Sequence, residues 1–163
     1  MRYACDDLNA FDLHDARMLE TALEGRDLLW TLKDGNALPQ CPVNPHGRAM
    51  RVPKLLLRLR EYTVLHMEVW NVERRDPNSG MRQLLPQGLP PEVWQDALLG
   101  AGEVLSAAAR KEAGALLVEL GFFARGGQPY QEATLACAGV LLEWDAFSGL
   151  AWFEERRAPA GND

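Results

Sequence analysis

The chain has 163 residues, 47% of them hydrophobic and 25% charged, with a formal net charge of −6. That length suits one domain, 1–163, which can bury a core without disulfides or metals, and the composition excludes a disordered chain. The acidic balance argues against a long phosphate-tracking surface, so no nucleic acid is expected, and it would steer a basic protein partner.

The opening MRYACDDLNAFDLHD has no apolar signal core, and no apolar run approaches the roughly 18 residues of a membrane span, so a cytoplasmic chain without membrane contact is expected. Cys5, Cys41 and Cys137 are odd in number and widely spaced, without a CxxC pair, and read as reduced, buried thiols. No metal and no cofactor is expected.

In chain order, the stretch FDLHDARMLE places His14 beside Asp15, with Asp12 before and Arg17 after. Two readings stand side by side. One is a general base oriented by a carboxylate. The other is a polar lead-in whose side chains bond backbone amides where the chain joins a sheet. In an extended segment Asp12 and His14 face one side and Asp15 the other, which is poor geometry for a metal site.

From Arg17 the chain reads as a hairpin: a run to Glu24, a turn at Gly25–Asp27, and alternating Leu28, Trp30 and Leu32. Residues 34–53 carry Pro39, Pro42, Pro45 and Pro53 with Gly35 and Gly47, and read as a loop. His46 and Cys41 lie in it, and turn chemistry accounts for His46.

Leu55, Leu57 and Leu59 then share a strand face, and Leu65, Met67 and Val69 another, opposite Val64, His66, Glu68 and Trp70. Two strands joined around Arg60–Tyr62 fit this, with one long bent strand as the alternative. His66 falls mid-strand beside Glu68, and RRDPNSG ends the run as a turn.

The middle, LPPEVWQDALLGAGEVLSAAARKEAGALLVELGFF, starts as a helix behind Pro90 and Pro91. One helix over 92–112 would hold Gly100 and Gly102 in its interior, each costing about 1 kcal/mol. The preferred reading is a short helix near 91–99, then a second hairpin turning at Glu112–Gly114. The outlines of residues 15–32 and 102–120 agree, and EYTVLHMEV can be laid over EATLACAGV, which suggests two related β units, 11–76 and 100–157. A buried strand at ATLACAGVLLEWD, a turn at Asp145–Gly149 and a short edge strand GLAWFEERR complete the chain. Trp152 and Phe153 must face opposite ways in such a strand, so one of them is a candidate surface aromatic beside Glu154–Arg157.

The expected fold is therefore mainly β (α+β), with antiparallel sheets of about eight strands built from hairpins and one short helix. GxSxG, SxxK, HExxH and a GxGxxG after a strand are all missing. The segment LHDARMLETALEGRDLLWTL resembles the start of small bacterial families of uncharacterised or immunity-type proteins, which open with an "hHDA/S-R/E-I" motif, a strand, an acidic turn and a return strand. The likeness covers about twenty residues, with His14, Asp15 and Arg17 at the matching positions. It implies a small sheet-rich cytoplasmic protein, in some cases a toxin-neutralising one, and carries over no catalytic residue.

The functional expectation is a non-catalytic, immunity-like protein-binding module with an acidic and aromatic surface, and His14, Asp15, Arg17, His66 and Trp152 as candidate binding residues. The alternative is an enzyme or small-ligand-binding protein with a pocket near His14, Asp15 and His66. A homodimer through a sheet edge is a third reading.

Overall fold

The structure is a computed structural model that describes residues 1–156. Two antiparallel ladders organise it. In the first, β3 (Arg17–Glu24), β4 (Asp27–Ala37) and β5 (Met50–Arg60) pair in succession. In the second, β8 (Ala101–Glu112), β9 (Ala115–Ala124) and β10 (Tyr130–Cys137) do the same.

β5 runs through Glu61–Tyr62 into β6 (Thr63–Arg75), and β10 runs through Ala138 into β11 (Gly139–Trp144). β11 pairs with β5 while β10 pairs with β6, so two bent strands form one ladder that turns a corner. A short seam joins β3 to β8 at Arg17 and Glu103. Each of the six strand tracks thus has a neighbour on both sides, and the sheet closes on itself. Closure removes the exposed edges that a flat sheet of this length would offer.

Four further strands decorate the ring. β1 (Tyr3–Cys5) extends it beside β11, and β7 (Arg82–Gly88) extends it beside β6. β2 (Phe11–Asp12) caps the end of β4, and β12 (Gly149–Leu150) the start of β5. The fold is mainly β as expected, with twelve strands in one antiparallel sheet rather than about eight.

Inward residues alternate along the ladders, as a one-sided sheet requires. Leu28, Trp30, Leu32, Leu55, Leu57, Leu59, Val118, Leu120 and Phe122 are all buried. Trp30 of β4 meets Phe122 of β9 edge-on at 5.4 Å across the interior. The helix α1 (Trp94–Leu99) fills the gap where β3 and β8 diverge, and its Leu98 carbonyl accepts from Trp30 Nε1 at 3.1 Å. The short-helix reading therefore holds: Gly100 ends α1, and Gly102 sits in a bulge of β8 where a Cβ would lie 2.9 Å from Arg125 Cα.

Several expectations are corrected. The loop spans 38–49, not 34–53, because β4 continues to Ala37 and β5 starts at Met50. Pro53 is tolerated inside β5 because the ladder skips it opposite Asp34, whose φ of 67° marks an irregularity, so no amide donor is missed there. Leu65 does not join the inner face of Met67 and Val69. It is the residue passed over at the bulge between Thr134 and Leu135, and it is 51% exposed.

The overlay of EYTVLHMEV on EATLACAGV aligned two segments that are partners in space, β6 and β10, with Thr134 opposite His66. The strand that follows the first hairpin, as β10 follows the second, is β5. Beyond Leu150 the chain forms a helical turn, α2 (Trp152–Glu155), not an edge strand; Arg157, the last residue of that expectation, lies outside the described residues.

A candidate binding cleft

The opening segment that drew attention in the sequence folds as a tight turn between β2 and β3. Asp12 Oδ1 accepts from the His14 amide at 3.0 Å, and the Ala16 amide returns to the Leu13 carbonyl. Leu13 and Ala16 are buried on either side, which pins the turn to the core. Asp15 takes a left-handed φ of 67° and its amide donates to Val104 of β8 at 2.9 Å. Asp carries a left-handed conformation more readily than most residues.

This turn corrects the extended geometry expected from the sequence. His14 and Asp15 do not diverge: His14 Nδ1 lies 3.0 Å from Asp15 Oδ2, with both side chains about half exposed. A proton on Nδ1 held by the carboxylate leaves Nε2 as an acceptor.

Late in the chain, α2 is held against the end of the 38–49 loop, just before β5, by several bonds. Ala151 N donates to Ala49 O at 2.9 Å, Glu154 Oε1 accepts from Ala49 N at 3.2 Å, and Arg48 approaches Glu154 at 3.5 Å. Those contacts fix Trp152, which is 43% exposed, with the Arg156 guanidinium 5.1 Å from its ring centre.

Between the turn and α2 lies an open cleft of about 560 Å³, lined by His14, Asp15, Arg17, Asp34, Asn36, Arg51, Trp152 and Arg156. Its volume falls in the range of small-ligand sites, roughly 300–1,000 Å³. Asn36 and Arg51 are opposite one another on β4 and β5, which puts both side chains on the same face of the sheet. Asn36 is only 2% exposed, and its Oδ1 has no hydrogen-bond partner among the described residues. An unpaired buried amide oxygen is costly, about 1–3 kcal/mol, and such groups are few in native proteins.

The charges here run against the balance of the whole chain. Three guanidiniums, from Arg17, Arg51 and Arg156, face two carboxylates, from Asp15 and Asp34. Asp34 reaches Arg17 only at 4.0 Å, and Asp15 is engaged by His14. Among the described residues the lining holds no serine, threonine, cysteine or lysine, and its only side chains of a nucleophilic type are the Asp15 and Asp34 carboxylates and the His14 imidazole.

Four of the five residues singled out in the sequence thus meet in one place: His14, Asp15, Arg17 and Trp152. His66 is not among the lining residues; it lies 61% exposed on β6, 3.5 Å from Glu68. Sequence reasoning missed Asn36 and Arg51, which lay within the expected loop. The Cys41 thiol sits beside that of Cys5, and burial, the largest influence on it, pushes it up to about 11. The His46 ring packs edge-on against Phe147 at 5.5 Å.

Among the described residues no group of three or more His, Cys, Asp or Glu side chains is placed to hold a metal ion, and no helix is long and apolar enough to cross a membrane. No protein-family model matches the chain, and no curated protein or solved structure is significantly similar to it.

Proposed function

We propose that this protein is a non-catalytic binding module whose recognition surface is the cleft between the His14–Asp15 turn and α2. One observation carries the reading. Side chains far apart in the chain, at 14–17 and 152, converge over Asn36, a buried amide whose Oδ1 has no partner among the described residues. That oxygen is closed to solvent in the free protein, and a bound partner toward which the amide turns would remove the penalty it carries.

The immunity-like reading rests on the opening resemblance. Its support is that the matching positions His14, Asp15 and Arg17 all line this cleft. The net charge of −6 would draw in a basic protein partner at long range, while the guanidiniums of the cleft would take a carboxylate that the partner presents. Native mass spectrometry of the protein purified gently from its own cells tests the proposal. The expected spectrum holds a bound species that is lost in Trp152→Ala and in Arg17→Gln. The same species retained in both variants overturns the cleft as the recognition surface.

The 3.0 Å His14–Asp15 pair also favours an enzymatic reading, with His14 as an oriented general base. Turnover of a captured ligand that disappears in His14→Gln, with binding unchanged, would decide for it.

A further inference from the structure

We infer that the occupant of the cleft contains a planar ring bearing an oxyanion, either a carboxylate or a phosphate, on a free small molecule. The inference rests on the cleft of the binding proposal above and takes a small molecule, in place of a protein partner, as its occupant.

Three features point to this class independently of one another. First, the cleft is net cationic on a protein of net charge −6, with Arg51 rising from β5 directly beside Asn36. Arg17 and Arg156 lie along the same walls. No carboxylate approaches Arg51 or Arg156 within ion-pair distance among the described residues. Guanidinium forks match planar carboxylates and phosphates in two-bond geometry.

Second, Trp152 offers a half-open aromatic face that its backbone anchors hold still, and a flat ring would stack there in place of solvent. Third, Asn36 sits in the lining, and its amide oxygen is unmatched and closed to solvent. A turn of the amide that brings this oxygen to the cleft would let it accept from a ring N–H, and the opposite turn presents the nitrogen to a ring acceptor. The two carboxylates do not cancel this arrangement. Asp15 is occupied by His14 Nδ1 at 3.0 Å, and Asp34 faces Arg17 at 4.0 Å. An anion is expected between Arg51 and Arg156, with its ring on Trp152.

The test uses isothermal titration calorimetry of the full chain at low salt with four probes. Adenosine 5′-monophosphate supplies ring and phosphate, indole-3-acetate supplies ring and carboxylate, and adenosine and inorganic phosphate supply one feature each. The expected result is saturable binding of at least one ring–anion probe in the submillimolar range, about tenfold or more tighter than adenosine or phosphate alone. Which of the two wins identifies phosphate or carboxylate as the anion.

Arg51→Gln should weaken that probe about tenfold, and Asn36→Leu should abolish its binding while the melting temperature of the free protein rises. That rise separates loss of a ligand contact from loss of the fold. Absence of binding by every probe at about millimolar concentration overturns the inference, as does binding that neither variant alters. If the native spectrum shows a bound species that depends on Trp152 while all four probes fail, the binding proposal stands and this ligand class falls.

Discussion

At the scale of single residues, Asp27 shows how one carboxylate sets a corner. It closes the β3–β4 turn, and its Oδ1 accepts from the Glu61 amide at 2.9 Å. Glu61 is the left-handed residue, φ 45°, at which β5 bends into β6. Asp27 Oδ2 meets Arg58 at 2.9 Å, and Arg58 also reaches Glu24 at 2.9 Å. The bond from the Glu61 amide and then the Arg58 guanidinium hold the Asp27 carboxyl below its usual range. A depressed folded value means that this stabilisation is present at neutral pH and is lost as pH falls from about 4 through the folded value. Asp27→Asn should therefore cost about 2 kcal/mol at pH 7 and less near pH 3. Urea titrations at the two pH values check this, and an equal loss at both would show that charge is not what holds the corner.

The two fully buried tryptophans also separate. Trp30 Nε1 donates to Leu98 O, whereas Trp144 Nε1 is buried without a partner among the described residues. Trp30→Phe should cost about 3 kcal/mol, because it leaves the Leu98 carbonyl orphaned as well as opening space. Trp144→Phe should cost about 1 kcal/mol, since it removes an unsatisfied donor along with the packing it loses. Chemical denaturation of both variants reads the difference, and equal losses would count against it.

At the scale of elements, patterning was most legible where it met an ordinary one-sided strand. Leu28, Trp30 and Leu32 alternate without a break, and so do Leu55, Leu57 and Leu59, and both sets are in the core. Legibility failed at irregularities. Pro53 reads as a loop residue, yet a skipped ladder position accommodates it; Leu65 reads as inward, yet a bulge turns it out. Neither bulge has a local sequence mark, because each depends on the partner strand. α2 was misread because four residues are too few to show a helical period, and its position comes from bonds to Ala49.

The candidate site divides along the same line. His14, Asp15 and Arg17 stood out because polar residues cluster there, and Trp152 because of its neighbouring aromatic. Asn36 and Arg51 carried no sign, since their pairing across β4 and β5 is a fact of register.

Glycine positions at this scale can be ranked. In β9, Gly121 leaves the space that the Tyr130 ring and the Ser106 hydroxyl occupy, and Tyr130 Oη bonds Glu132 at 3.0 Å. Gly102 instead faces the backbone of Ala124 and Arg125. Both glycines should resist substitution by alanine, but Gly121→Ala should cost about 1–2 kcal/mol, because a side chain can swing away. Gly102→Ala should cost more, because backbone cannot. Thermal denaturation orders the two, and the reverse order would place the strain in the Tyr130 packing rather than in the bulge.

At the scale of the whole molecule, the ring is unequal around its circumference. β4 and β5 pair from Leu28 to Ala37, and β8 and β9 along nearly their full length. β3 and β8 meet at Arg17 and Glu103, flanked by the bonds Asp15 N to Val104 O and Val104 N to Ala16 O. Past the bulge after Met18, β3 leaves β8, and α1 takes up the gap, with Thr21 Oγ1 donating to Leu99 O at 2.6 Å. The seam therefore rests on few bonds and one side-chain tie, and local opening is expected where backbone hydrogen bonds are fewest. Amide exchange at Asp15 and Val104 should proceed through openings at least about 2 kcal/mol easier than those at Leu57 or Phe122. Thr21→Val should widen that difference. The turn that carries His14, Asp15 and Arg17 is one bank of this seam, and Trp152 stands across the cleft from it. An occupant that spans the cleft holds the turn in place, so it should slow exchange at Asp15 and Val104 more than at Leu57. Uniform slowing over the whole ring would mean that the barrel opens as one unit, and that occupancy of the cleft is felt only through global stability.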